Sequence, residues 1–403
     1  LGNLINTEEE LAKLEADLWE SADELRANSK LTSNQYCMPV LALLFLRYAY
    51  SRFKMVEKEI LANRPSRGGR LIPVEASDFK AKSALFLPAE AQFDYLINLP
   101  DNITDAHLKT KEGKPINSFG EAINNAMSLI EEQSEQLLGI LPKNYTIFSD
   151  GLLRELFRIF NNKTIDEVGG DVIGRIYEYF LSKFALAEGK GKGEFYTPKC
   201  IVNLIAEIIE PYDGILYDPC CGSGGMFVQS MKFVEAHHGN KKKVSIYGQE
   251  YTNTTYKLCK MNLAIRGISA NLGEMAANTF TNDQHKDLKA DYIMANPPFN
   301  QKEWRADNEL IDDPRWDGYE VPPTSNANYG WILNIVSKLS QNGVAGFLLA
   351  NGALSDDGTE LKIRRQLIEN NLVEAIIILP RNLFYTTDIS VTLWILNKNK
   401  KAR

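Results

Sequence analysis

From residue 214 onward, apolar β-prone segments alternate with stretches of helical periodicity, and this alternation constrains the fold more than any other feature of the 403-residue chain. Candidate strands lie at 214–217, 244–247, 290–295, 344–349, 373–378 and 391–396, with helical patterns between most of them. Such alternation implies an α/β fold, a mostly parallel sheet with helices on both faces. Ligands of such sheets bind at the carboxyl ends of the strands, so the residues at those ends carry the functional information.

The first strand delivers Asp218-Pro219-Cys220-Cys221-Gly222-Ser223-Gly224-Gly225-Met226-Phe227 and then a helix. Glycine there lets the backbone approach a ligand that a Cβ would hold off. The spacing is G-x-G-x-x-F, without the third glycine of a dinucleotide fingerprint, which disfavours a nicotinamide cofactor. Cys220 and Cys221 read as small packing residues, since adjacent thiols bridge only under strain. The second strand ends in Gly248-Gln249-Glu250, where a Rossmann-like protein places the acid that takes ribose hydroxyls. The alternative is that Glu250 only opens the helix beginning at Asn253.

Tyr292-Ile293-Met294-Ala295 leads into Asn296-Pro297-Pro298-Phe299. Two consecutive prolines fix two φ angles and remove two amide donors, which leaves the carbonyls of Asn296 and Pro297 outside a regular ladder. An Asn side-chain carbonyl beside a free main-chain carbonyl suits an exocyclic NH2 group, and Phe299 offers a ring on which a planar base can stack. A Pro-rich turn at a strand end is the competing reading. Upstream, Gly193-Glu194-Phe195-Tyr196-Thr197-Pro198 precedes Ile201, Leu204, Ile205 and Ile208 at helical spacing. Thr197 is the expected N-cap and Pro198 the first helical residue. The preceding stretch 188–192, with Lys190 and Lys192, has the composition of a loop that could close over a ligand.

The first half reads as helical and carries no catalytic constellation. Thr7 and Glu10 form a capping-box pattern before Leu11, Leu14, Leu18 and Leu25, and a second helix is expected over 33–54, entered or kinked at Pro39. Residues 64–114 are rich in turn formers, with short apolar pieces such as 84–87, and helical spacing returns at 119–138 and 149–160. Length and pattern predict a helical N-terminal domain, residues 1–165, and a catalytic domain, residues 166–403. The expected uses of the helical domain are packing against the second half and the binding of a partner or DNA.

Five cysteines without a CxxC pair or a His partner at metal spacing speak against a disulfide framework or a zinc site. The longest apolar stretch, 40–46, is far too short to cross a bilayer. A reducing cytoplasm is the expected location, with no membrane. The formal net charge of −7 lacks the basic excess of a chain that grips nucleic acid unaided. The basic clusters at Lys190/Lys192, 241–243 and 398–403 read as solvated loops. If DNA is the substrate, a partner is expected to supply much of the grip.

G-E-F-Y-T-P, D-P-C-C-G-S-G-G, G-Q-E and N-P-P-F, in this order, resemble motifs X, I, II and IV of the gamma-class amino-methyltransferases that use S-adenosylmethionine. More narrowly, they resemble the modification (M) subunit of type I restriction-modification enzymes. Ile176-Tyr177-Glu178-Tyr179-Phe180, Asp313-Pro314-Arg315-Trp316, Asn326-Ala327-Asn328-Tyr329-Gly330-Trp331 and Leu379-Pro380-Arg381-Asn382-Leu383-Phe384 support the narrower match, which covers nearly the whole chain. The resemblance implies a Rossmann-like methyltransferase domain with a C-terminal antiparallel hairpin. It implies methyl transfer from S-adenosylmethionine to N6 of an adenine in double-stranded DNA. The adenine must be flipped out, because N6 inside a duplex is engaged in pairing. Partners implied are a specificity (S) subunit that chooses the sequence, a restriction (R) subunit in the full complex, and two M subunits per S subunit.

By the same resemblance, Asp218, Gly222, Ser223 and Gly224 shape the pocket for the methionine part of the cofactor. Glu194, Phe195, Tyr196, Thr197 and Pro198 close over it, and Glu250 takes the ribose. Asn296 and the Pro297 carbonyl, fixed by Pro298, hold N6, and Phe299 stacks on the flipped base. Two departures stand out. Asn278 occupies the place of an acid that contacts the cofactor's adenine amino group, though its oxygen can still accept a hydrogen bond. Relatives also commonly run on beyond the last hairpin, in a helical tail that would meet the specificity subunit. The segment 301–323, with Trp304, Arg305, Arg315, Trp316 and Tyr319, suits either an unpaired base or a loop anchored by buried tryptophans. Methylation of a glutamine side-chain amide, and an inactive cofactor-binding scaffold, are the alternative functions.

Overall fold

The computed structural model describes residues 8–63, 74–82, 84–162, 172–188, 197–384 and 390–400. Thr7, Lys190, Lys192, Glu194, Phe195 and Tyr196 lie outside the described residues. The chain divides into two compact units, Leu1–Glu188 with Lys260–Ile268, and Gly189–Cys259 with Ser269–Arg403.

The first unit is built from helices α1 (Glu8–Ser29), α2 (Ser33–Ala62), α3 (Ala76–Ala81), α4 (Phe93–Ile97), α5 (Phe119–Glu132), α6 (Asp150–Phe160) and α7 (Val172–Glu188). Helix α2 starts where expected, with Thr32 as N-cap in a reciprocal capping box with Gln35, but it runs eight residues past the expected end at 54. Val56 and Ile60 continue its buried stripe one turn apart among charged residues of high helix propensity, so the apolar face persists where the composition turns polar. The helix passes through Pro39, whose carbonyl also accepts from the Tyr145 hydroxyl at 2.8 Å. Ser149 caps α6 by accepting from the Leu152 amide. Helical structure after Phe119 ends at Glu132 and resumes only as a short 3-10 turn, Glu135–Leu137.

The second unit holds α8 (Lys199–Ile209), α9 (Gly225–Ala236), α10 (Asn253–Ile265, its last residues in the first unit), α11 (Asn328–Lys338) and α12 (Thr359–Glu369). Its strands are β1 (Gly214–Asp218), β2 (Val244–Gly248), β3 (Ala270–Asn271), β4 (Ala290–Ala295), β5 (Leu339–Ala350), β6 (Val373–Ile378) and β7 (Val391–Asn397). They form one sheet in the order β3-β2-β1-β4-β5-β7-β6, in which β7 runs antiparallel to both β5 and β6 and the other pairs are parallel. The order reverses between β1 and β4, which places the switch point beside the glycine turn and the Asn-Pro-Pro-Phe segment.

All six expected strands are present, together with β3, which two residues of ordinary composition do not announce. Helix α8 lies so close to the sheet that a Cβ on Gly346 would come within 2.6 Å of Ile205. On the opposite face Phe347, Leu349 and Trp394 join Ile332, Ile335, Ile363 and Leu367 in one buried cluster. Among the described residues, no helix is long and apolar enough to cross a membrane.

Candidate active site

Strand β1 ends at Asp218, which is 2 % exposed. One carboxylate oxygen accepts from the Cys220 amide at 3.0 Å. Burial raises its pKa from 3.8 to about 7 against the opposing pull of its bonds to Cys220, and the neighbouring Glu250 charge adds to the rise. The turn that follows is bonded to the end of β2, with Gln249 N donating to Asp218 O at 3.1 Å and Cys221 N to Gln249 O at 2.9 Å. Gly222 and Gly224 take φ of 54° and 83°, the left-handed region that other residues enter at a cost. Gly224 is the N-cap of α9, and among the described residues a Cβ on Gly225 would meet nothing within 4 Å.

Glu250 is 9 % exposed and does two things. Its Oε2 accepts from Gly222 N at 3.0 Å and its Oε1 from Thr252 N at 2.8 Å, so it both holds the glycine turn and caps the approach to α10. A third wall comes from the segment after β3. Ala277 N donates to Glu250 O at 2.8 Å, and the Thr279 hydroxyl donates to Pro219 O at 2.5 Å. The buried Gln249 amide fastens the same segment, donating to Ala277 O and Asn282 O and accepting from Gln284 N. The Asn278 oxygen accepts from Phe280 N at 2.8 Å and Thr281 N at 3.4 Å, which occupies the atom expected to receive an adenine amino group.

Thr197 is not the N-cap of α8. Pro198 takes that place, with φ −54° and ψ 137°, and its carbonyl receives Ile201 N and Val202 N. The Thr197 hydroxyl oxygen instead accepts from Asn296 Nδ2 at 3.0 Å. That bond fixes the orientation of the Asn296 side-chain amide, and the opposite atom, Oδ1, is buried with no hydrogen-bond partner among the described residues. A buried acceptor left without a donor costs about 1–3 kcal/mol, so such an atom calls for a donor from a ligand. Burial, reinforced by Asp218, pushes the Cys220 thiol well above its usual pKa, against the opposing pull of a bond from the backbone N–H of Asn296. Cys221 is buried with its sulfur 4.0 Å from that of Cys259, in agreement with a packing role.

Beyond the prolines, Phe299 meets Phe384 edge to face, with centroids 6.1 Å apart at 86°. Asn300, at φ 51°, is clamped by Asn328, which accepts from its amide at 3.1 Å and donates to its side chain at 2.9 Å. The Trp331 indole adds a bond to the Gln301 side chain at 3.3 Å. Of the two readings of 301–323, the anchored loop is the one observed. Trp304 and Trp316 are buried and donate to Pro323 O and Leu310 O. Arg305 spends its guanidinium on the carbonyls of Ala306, Asp307, Glu309 and Pro322.

Asp218, Gly222, Ser223, Gly224, Glu250 and Asn278 thus gather at the ends of β1, β2 and β3, while Thr197, Asn296 and Phe299 gather at the end of β4. Reading the sequence did not assign Thr197 to Asn296, Gln249 to the third wall, or Phe384 to Phe299. For Phe384 a signal was present in the Leu379–Phe384 run, which carried no role.

A seven-stranded sheet of this order, with an acidic and glycine-rich cradle beside an amide acceptor, defines a methyltransferase fold. Residues 168–403 match the family model for N-6 DNA methylase, and residues 14–160 match that of the HsdM N-terminal domain. The chain is 44 % identical over 330 residues to the type I restriction enzyme HindI methylase subunit of Haemophilus influenzae, covering 79 % of this chain and 73 % of the relative. It is 37 % identical over 409 residues to the MjaIX methylase subunit of Methanocaldococcus jannaschii, covering 96 % and 70 %. A solved type I methyltransferase subunit from Streptococcus thermophilus superposes with a TM-score of 0.75 at 25 % identity, covering 97 % of this chain and 85 % of that one. A putative class I S-adenosylmethionine-dependent methyltransferase from Listeria monocytogenes shares the fold, with a TM-score of 0.52 at 16 % identity over 77 % of this chain and 88 % of that one. The chain belongs to the N-6 DNA methylase family, among the methylase subunits of type I restriction enzymes.

Proposed function

We propose that this chain transfers a methyl group from S-adenosylmethionine to N6 of a flipped adenine in DNA, within a complex whose specificity subunit chooses the sequence. In this reading residues 1–165 form the helical domain and 166–403 the catalytic one. Two such chains per specificity subunit, and a restriction subunit in the larger assembly, complete the partners. The net charge of −7 favours this division of labour, since DNA affinity needs cationic surface that a partner can bring.

The residues present fit the cofactor. Asp218 is a buried acid held partly protonated until a cation arrives, Glu250 follows the end of β2, and a Cβ at Gly225 would meet none of the described residues within 4 Å. Bound there, S-adenosylmethionine would supply an electrophilic methyl group. The observation that carries the acceptor side is the buried Oδ1 of Asn296, which has no hydrogen-bond partner among the described residues. It would accept one N6 hydrogen and the Pro297 carbonyl the other, which keeps the nitrogen lone pair directed away from both. Thr197 keeps the amide from turning its NH2 toward the substrate. Phe299 would stack on the base. Asn296 is no base, so the surplus proton of the alkylated nitrogen passes to water, and the rate comes from positioning.

The test uses the chain with its specificity subunit, target DNA and S-adenosylmethionine labelled in the methyl group. Label is expected in N6-methyladenine, with Asn296→Ala reducing the rate at least about a hundredfold while cofactor affinity holds. Normal DNA methylation by Asn296→Ala would sink the assignment, and label appearing in protein would redirect it to another amide acceptor.

A further inference from the structure

Arg315 lies in the loop after the acceptor segment and has a saturated guanidinium. Its Nε and Nη2 grip both oxygens of Asp313, each at 2.7 Å. Nη1 donates to Thr279 O at 2.8 Å and to Asn334 Oδ1 at 3.2 Å, and Nη2 donates to Phe280 O at 2.6 Å. The side chain is 8 % exposed, and its charge lies over the rings of Phe280 and Trp316 at 5.7 and 5.3 Å. Only a planar fork can serve a carboxylate and two main-chain carbonyls at once; an ammonium is a point donor.

The two carbonyls belong to the wall that faces the glycine turn. Between Ala277, tied to Glu250, and Phe280 the backbone carries Asn278 and Thr279, and Thr279 reaches Pro219 in the turn itself. Phe280 is wedged between Trp304 and Trp331, 4.4 Å from each, and Trp331 reaches Gln301 beside the acceptor segment. One guanidinium therefore joins the third wall of the cofactor cradle to the rigid block that carries the acceptor loop.

We infer that Arg315 is a positioning residue: it fixes the 277–280 wall against the Gly222 turn and Glu250, and so sets the affinity for the cofactor without touching it. This rests on the reading of the cradle as an S-adenosylmethionine site. Arg315→Lys keeps the charge and loses the fork.

In the full chain, the dissociation constant for S-adenosylmethionine is measured by calorimetry for wild type, Arg315→Lys and Glu250→Ala, alongside melting without ligand. The KM and kcat are measured with the specificity subunit and DNA. Arg315→Lys is expected to weaken cofactor binding about tenfold, with KM rising by a larger factor than kcat falls. Adding Asn278→Ala to Arg315→Lys should weaken binding by less than the product of the single effects, because both act through one wall. If Arg315→Lys does not fold, Asn334→Leu removes one of the five contacts at similar volume and should give a smaller shift in the same direction. Unchanged cofactor affinity in the folded variant, whatever its melting temperature, overturns the positioning role, as does a strictly multiplicative double variant. An affinity unmoved in Glu250→Ala as well would overturn the cofactor site itself.

Discussion

Asp218→Asn should stabilise the ligand-free protein and cost it the cofactor. The carboxyl of Asp218 is 2 % exposed and its pKa stands at about 7 against an ordinary 3.8. Each unit of pKa corresponds to about 1.36 kcal/mol, so ionising this group in the folded state costs about 4 kcal/mol once the pH is well above 7. Because the folded value lies above the unfolded one, the cost is absent below pH 3.8, grows between 3.8 and about 7, and is constant above that. Asparagine retains an oxygen for the Cys220 amide and carries no charge, so it removes the cost and keeps the main-chain bond. Urea unfolding followed through the buried tryptophans, repeated across pH, should show Asp218→Asn more stable than wild type by about 4 kcal/mol at pH 8 and about 2 kcal/mol at pH 5.5. A difference that does not grow with pH, or that favours aspartate at pH 8, would refute burial as the cause of the shift.

Cofactor binding should also release protons near pH 6.5, because a cation beside Asp218 pulls its pKa down. Affinity then rises with pH up to about 7 and levels, and calorimetry in two buffers of different ionisation enthalpy counts the protons; uptake instead of release contradicts the assignment. Thr197→Val removes the acceptor that holds Asn296 Nδ2 and should slow methyl transfer about tenfold, with Thr197→Ser restoring it; an unchanged rate rules out the anchor. Gly248→Ala would bring a Cβ within 2.9 Å of the Phe227 ring and 3.0 Å of Leu272, and should destabilise by about 1–3 kcal/mol in thermal unfolding.

The strands were legible because those buried on both faces are short apolar runs between turn residues, and β1, β4 and β5 meet that description. The two-residue β3 has no such run, and the first part of β5, Leu339-Ser340-Gln341-Asn342-Gly343, reads as a polar turn. It joins the sheet through an irregular register, Ala290 opposite Leu339 and Tyr292 opposite Val344. The placement of Asn296 and Glu250 just beyond strand ends was legible, because each follows an apolar β-prone run. The partner of Asn296 was not, since Thr before Pro satisfies a local capping pattern, whereas its observed bond spans 99 residues of chain. The tryptophans of 301–323 were ambiguous for a different reason. A Trp that anchors a loop and one that stacks a base have the same sequence, and only the backbone carbonyls on their indole nitrogens separate the two.

Two unfavourable features of the candidate site lie on neighbouring strands. Strands β1 and β4 pair through Leu216–Tyr292 and Tyr217–Ile293, so Asp218 and Asn296 follow the carboxyl ends of neighbouring parallel strands, with Cys220 bonded to both. One is an acid whose ionisation is opposed, the other a buried acceptor with no donor among the described residues. Each is relieved by a different chemistry: a cation for Asp218, an N–H group for Asn296. A structural role explains neither, because a core built only for stability would replace both with apolar side chains at a gain. The surrounding bonds serve to keep the two groups from relaxing: Thr197 on Asn296, Gly222 on Glu250, and Gln249 and Arg315 on the third wall. Under the proposed function, a cationic cofactor would relieve the first cost and an amino-bearing base the second, and methyl transfer would need both halves filled.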